Sequence, residues 1–122
     1  MTGGASRLRL EPAACIGRTV EVEVDRPLGS RHPAHPDLVY ELNYGFVPDT
    51  MAADGEPVDA YIIDFGEPVK QAEGRVVAVV RRRDDVEGKL VVRCGDQLLT
   101  TAAIEAAVHF VEQYFDSKVL RE

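Results

Sequence analysis

Tryptophan is absent, and cysteine occurs only at Cys15 and Cys94, without the paired spacing of a metal knuckle or a disulfide framework. Both are expected as reduced thiols. Histidine is scarce as well, with three residues, two of them in one loop. No apolar run approaches the length of a bilayer span and the N-terminal stretch has no hydrophobic signal core, so no membrane association is expected and the default location is cytoplasmic. Positive charge is also in short supply: 14 Lys and Arg face 21 Asp and Glu, a net charge of −7. That balance argues against nucleic acid as a partner, and an acidic chain acting on a polyanion needs metal ions or a local basic patch.

What the chain does have is an ordinary globular balance, 45% apolar against 29% charged over 122 residues, which suits one core. Residues 1–17 show no sustained periodicity and read as a flexible lead-in or a short added strand, leaving 18–122 as a single domain. From Thr19 to Asp25, valines alternate with acids, the period of a half-buried strand. The next segment, Arg26 to Pro36, is interrupted by three prolines and a glycine and cannot be regular; it concentrates Arg26, Arg31, His32 and His35. Tyr40, Tyr44 and Phe46 follow in an extended stretch, a pattern more often core than chemistry. Val76 to Val80 is a continuous apolar run and predicts a strand covered on both faces, leading through an acid-bearing hairpin turn into Leu90–Val92. A helix is expected from about Thr101 to Phe115, capped by Thr100 or Thr101, with Ile104, Ala107, Val108, Val111, Tyr114 and Phe115 as its apolar face and His109 on the surface. Short antiparallel strands closed by one C-terminal helix favour a mainly β or α+β fold, a small barrel in particular.

Two groups of acids stand out. Asp54, Glu56 and Asp59 place three carboxylates within six positions, where Gly55 and Pro57 exclude a continuous helix. Like charges so crowded oppose folding unless a cation or proton sits among them. All donors are hard oxygens, which suits Mg²⁺ or Mn²⁺ better than zinc. A solvated acidic turn accounts for the run equally well. The second group is Asp84, Asp85 and Glu87, followed by Lys89. If the two strands are neighbours, Asp54, Asp59, Asp84 and Glu87 converge on one rim and hold two or more metals, with Lys89 as donor to a bound anion. Hydrolysis of a phosphoanhydride is the chemistry such a rim serves.

The segment LVYELNYGFVPDTMAADGEPVDAYII, from Leu38 to Ile63, resembles the core signature of soluble family I inorganic pyrophosphatases, with the family's Asp-x-Asp-Pro-x-Asp motif at Asp54, Glu56 and Asp59. Asp84, Glu87 and Lys89 resemble its second motif, and VHFVEQYF resembles the helix bearing its active-site tyrosine, here Tyr114. The resemblance implies a closed OB-like antiparallel β-barrel with a C-terminal helix and Mg²⁺-dependent hydrolysis of inorganic diphosphate. It further implies Asp54, Asp59 and Glu87 as ligands of the tightest metal, with Asp59 also bridging to a second and helping to deprotonate the attacking water. Glu56 becomes the nearby base or water ligand, Asp84 serves a further metal, and Glu23 stands for the family's first-strand glutamate. Lys89 binds phosphate, and Tyr44 and Tyr114 place hydroxyls near the water or the leaving phosphate. Glu56 and Glu87 depart from the usual aspartates, and Phe115 stands where a phosphate-binding lysine is usual. The missing positive charge is therefore expected from Arg26, Arg31, His32 and His35. Two alternatives stay open: a hydrolase of an organic phosphate or nucleotide, and a non-catalytic module that binds metal and phosphate. Self-association into a homo-oligomer is open too.

Overall fold

In the computed structural model, which describes residues 8–83 and 88–122, the strands are β1 (Leu8–Arg9), β2 (Thr19–Arg26), β3 (Asn43–Val47), β4 (Thr50–Met51), β5 (Val58–Ile62), β6 (Gln71–Arg82) and β7 (Gly88–Arg93), then helix α1 (Thr101–Glu112) and strand β8 (Ser117–Arg121). The order β2-β3-β5-β7-β6 closes on itself because β6 also pairs with β2, giving the expected closed barrel, here of five strands. All its ladders are antiparallel except β5–β7, which is parallel. A closed ring with an odd number of strands cannot alternate direction all the way round, so one parallel pair is unavoidable.

Burial follows the sequence pattern. Val22, Val58, Ala60, Ile62, Leu90 and Val92 fill the barrel interior. Tyr61, Val80 and Val91 point outward and meet Ile104, Val108 and Phe110 of α1. The apolar run Val76 to Val80 is buried throughout, because one of its faces lines the barrel and the other lies under the helix. Thr100 caps α1, its hydroxyl accepting from the Ala103 N–H at 3.0 Å.

The stretch before residue 18 contains a short added strand, one of its two expected forms: β1 pairs with β4, and Cys15 of a 3-10 turn at Pro12–Cys15 packs in the barrel core. Two features differ from expectation. The helix stops at Glu112, so Tyr114 and Phe115 lie beyond it and are exposed, while Phe110 is buried. The chain then turns back as β8 against β6. Five residues with adjacent rather than alternating Val119 and Leu120 carry little strand signal, and the ladder is supplied by the long edge of β6.

Asn43 and Gly45 of the NYGF segment have structural reasons to be there. Asn43 is fully buried; its Oδ1 accepts from the N–H groups of Leu28 at 2.9 Å and Val69 at 3.2 Å, and its Nδ2 donates to the carbonyls of Phe65 and Glu67. One side chain thus ties two loops to β3. At Gly45 a Cβ would stand 1.9 Å from the Glu23 carbonyl oxygen, so β2 and β3 approach too closely for any side chain.

The helix is pinned by one carboxylate. Glu112, only 6% exposed, accepts from Tyr61 Oη at 2.6 Å, Ser117 Oγ at 2.6 Å, and Arg82 through Nε at 3.1 Å and Nη2 at 2.8 Å. Burial pushes its carboxyl up, but the hydrogen bonds and charge of Arg82, with Ser117 and Tyr61, outweigh that and hold it below the ordinary 4.5. Burial and the neighbouring Glu112 charge together push the Tyr61 phenol far above its ordinary value.

Two outcomes follow for stability. Asn43→Ala leaves the part-buried N–H groups of Leu28 and Val69 without their acceptor and is expected to cost about 2 kcal/mol, read as a lowered urea midpoint with an unchanged slope. Because the folded Glu112 value is the depressed one, its contribution is present above pH 4.5 and lost as pH falls through the folded value. Glu112→Gln should therefore be less stable than wild type at neutral pH, with the gap between the two urea midpoints closing below pH 4.5. A gap that stays constant into acid would contradict this.

Candidate active site

The outer face of the barrel, at the edge of the helix, carries the polar groups. Residues opposed across a ladder share a face, so Asp59 sits beside Phe46 on one side and Lys89 on the other, and Tyr61 beside Tyr44. Lys89 Nζ donates to Asp59 Oδ2 at 2.7 Å; the lysine side chain is 10% exposed and the aspartate 33%. Tyr44 lies against the same carboxylate: burial first, then the charge and hydrogen bonding of Asp59, push its hydroxyl well above the ordinary 10.0, so it is protonated at neutral pH. The Tyr44 and Tyr61 rings meet edge to face with centroids 5.0 Å apart.

Over this group opens a cavity of about 610 Å³. It is lined by Lys89 and Arg82, by the aromatic residues Tyr40, Tyr44, Tyr61, Tyr114 and Phe115, and by His32 and His35 of the Pro-rich loop with the following Asp37. His32 is anchored by backbone N–H groups of Ala34 and His35 donating to its Nδ1, and stacks near Tyr40 at 6.4 Å. Tyr114 reaches the cavity from an exposed position.

Of the residues singled out in the sequence, the structure gathers Tyr44, Asp59, Lys89, His32, His35 and Tyr114 at or beside this cavity. Arg26 opposes Tyr44 across the β2–β3 ladder and lies near the Tyr40 hydroxyl, where its charge works against the burial that raises that group. Arg31 does not reach the cavity; it is exposed and donates to the Pro36 carbonyl at 2.8 Å within its own loop. Glu23 is exposed on β2, opposite Phe46 and so one strand further from Asp59.

Asp54 and Glu56 occupy a tight turn entered through Gly55 at φ 86°, with Asp54 Oδ1 accepting from the Glu56 N–H at 3.0 Å, and both are exposed. Thr50 fixes the turn's base, donating to the Val47 carbonyl and accepting from the Val58 N–H. Asp84 and Glu87 lie outside the described residues. Among the described residues, no group of three or more His, Cys, Asp or Glu is placed to hold a metal ion. The donor chemistry at this end is nonetheless hard oxygen, from Asp54 and Asp59, and β7, which follows Asp84 and Glu87 in sequence, starts at the same end of the barrel as β5.

Sequence reasoning missed Arg82, Tyr61 and Glu112. The alternation of Ala78 and Val80 on the outer face continues to Arg82, and Glu112 extends the fourfold spacing of Ile104 and Val108, so both carried a signal.

The model of the inorganic pyrophosphatase family matches residues 17–117. An inorganic pyrophosphatase of Pseudomonas aeruginosa is 30% identical over 84% of this chain and 67% of its own length, and one of Aeropyrum pernix is 38% identical over 61% and 34%. The chain therefore spans from a third to two thirds of the length of these curated relatives. Among solved structures, the fold is shared with inorganic pyrophosphatases of Ehrlichia chaffeensis, TM-score 0.64 at 20% identity over 84% of this chain and 85% of that one, and Thermus thermophilus, TM-score 0.62 at 20% identity over 96% and 90%. No helix among the described residues is long and apolar enough to cross a membrane. With the family model matching residues 17–117 and a relative 30% identical over 84% of this chain, the chain belongs to the inorganic pyrophosphatase family.

Proposed function

We propose that this chain hydrolyses inorganic diphosphate to two phosphates in an Mg²⁺-dependent reaction at the cavity over Asp59 and Lys89. The observation that carries the reading is the Lys89–Asp59 pair at 2.7 Å beneath a tyrosine-lined cavity, in a chain of the pyrophosphatase family. Lys89 has further N–H bonds to offer a phosphate oxygen while one is held by Asp59. Asp59, fixed from two sides by Lys89 and Tyr44, is positioned to accept a proton from an attacking water. Tyr44, kept protonated, donates a hydrogen bond, and Tyr114 at the rim supplies a hydroxyl to the leaving phosphate. Glu56, exposed on its turn, acts at most through a water. Asp54 and Asp59, with Asp84 and Glu87, are the residues that would hold Mg²⁺, with Mn²⁺ as substitute. When bound, the ion neutralises phosphate oxygens and acidifies water.

A second reading, hydrolysis of an organic phosphate, is favoured by the cavity's volume of about 610 Å³ and its apolar wall of Leu38, Val111 and Phe115, which exceed the needs of so small an anion.

Phosphate release from diphosphate should require Mg²⁺ and should fall by roughly a hundredfold or more in Asp59→Asn, with circular dichroism unchanged. Release from an organic phosphate panel but not from diphosphate selects the second reading. Release from neither rejects both.

A further inference from the structure

The cavity contains a second cation that the sequence motifs do not assign. Arg82 lies at the end of β6, its side chain 12% exposed, and lines the same cavity as Lys89. Its guanidinium is held on two sides. Glu112 takes Nε and Nη2 in a bidentate pair, at 3.1 and 2.8 Å, and the Phe115 ring lies 3.6 Å from the guanidinium carbon. Glu112 is fixed in turn by Tyr61 and Ser117. The plane and the direction of the guanidinium are therefore set before any ligand arrives.

We propose that Arg82 is a phosphate-binding residue, presenting its remaining guanidinium N–H bonds as a preorganised fork to one phosphoryl group of the ligand whose other end meets Lys89. This rests on reading the cavity as an anion site. Bidentate binding of a carboxylate uses one edge of a guanidinium and leaves Nη1 and the second Nη2 hydrogen as donors, with the geometry that phosphate oxygens accept. Among the described residues Nη1 makes no hydrogen bond to the protein. Stacking on Phe115 occupies a face of the plane and not its edge, so it orients the group without consuming a donor. A guanidinium serving structure alone would be better placed away from the cavity, since burying an ion pair adds little net stability. Arg81 shows the contrast: its Nη2 pairs with Glu11, 39% exposed and outside the cavity.

The experiment uses two variants, because Arg82→Gln alone would strand the Glu112 charge. Arg82→Lys keeps the charge and loses the fork; the double variant Arg82→Gln with Glu112→Gln removes the pair together. Binding of inorganic phosphate is measured by calorimetry on wild type and both variants, alongside KM and kcat for diphosphate. Each variant that retains a cooperative unfolding transition should bind phosphate about tenfold more weakly and show a raised KM, a loss of about 1.4 kcal/mol. Unchanged phosphate affinity in either folded variant overturns the proposal, as does a wild type that binds no phosphate. Phosphate binding that depends on Arg82 without turnover of diphosphate would leave this assignment standing and remove the hydrolytic reading instead.

Discussion

The architecture turns on a single buried carboxylate. Glu112 is placed by the helix among apolar side chains, where a bare charge would be too costly to keep. It is tolerated because β5, β6 and the start of β8 each send it a donor: Tyr61, Arg82 and Ser117. The pair with Arg82 is near break-even as a source of stability, since desolvating both charges offsets most of their attraction. Its effect is on geometry. The four hydrogen bonds tie the C-terminal end of α1 to β5, β6 and β8, next to the point where Tyr114 and Phe115 enter the cavity lining.

The same arrangement recurs at Asp59. In each case a cation lining the cavity is held by a carboxylate: Lys89 by Asp59, Arg82 by Glu112. Neither pair changes the local charge much, and the molecule as a whole carries −7. Attraction of a polyanion therefore cannot come from the overall field; it has to come from donors whose positions are already fixed, so that little ordering remains to be done on binding. A loop cation such as Arg31, bound to its own Pro36 carbonyl, offers neither the position nor the rigidity.

Much of this could be read from the sequence, and the gaps have identifiable causes. Alternating valines and acids gave β2, the unbroken apolar run gave the doubly covered part of β6, and the motif residues Tyr44, Asp59 and Lys89 lie together. Asn43 was passed over because a buried amide that ties loops 22 and 24 residues away leaves no local pattern. Arg82 was hidden in the run Arg81-Arg82-Arg83, where three like residues suggest a solvated turn although the strand's period carries the middle one to the inner side of the cavity wall. Glu112 was left out of the apolar stripe read along the helix, whereas in the fold it stands in line with Ile104 and Val108, its charge compensated by partners distant in sequence. Positions set by tertiary pairing are the ones a period cannot show.

The parallel ladder is the last of these, and the site depends on it. Were β5 and β7 antiparallel, they would enter the barrel from opposite ends, and Asp59 and Lys89, each the second residue of its strand, would be separated by the length of the ladder. Because five strands close the ring, one pair must run in the same direction, and here that pair is β5–β7. Their first residues therefore lie at one end, Ala60 aligns with Leu90, and the preceding residues Asp59 and Lys89 meet at 2.7 Å. The acid-bearing turn before β5 thereby shares an end of the barrel with the start of β7, whose preceding sequence carries the second group of acids. Strand parity, more than any single motif, explains why two stretches about thirty residues apart in the chain can serve one site.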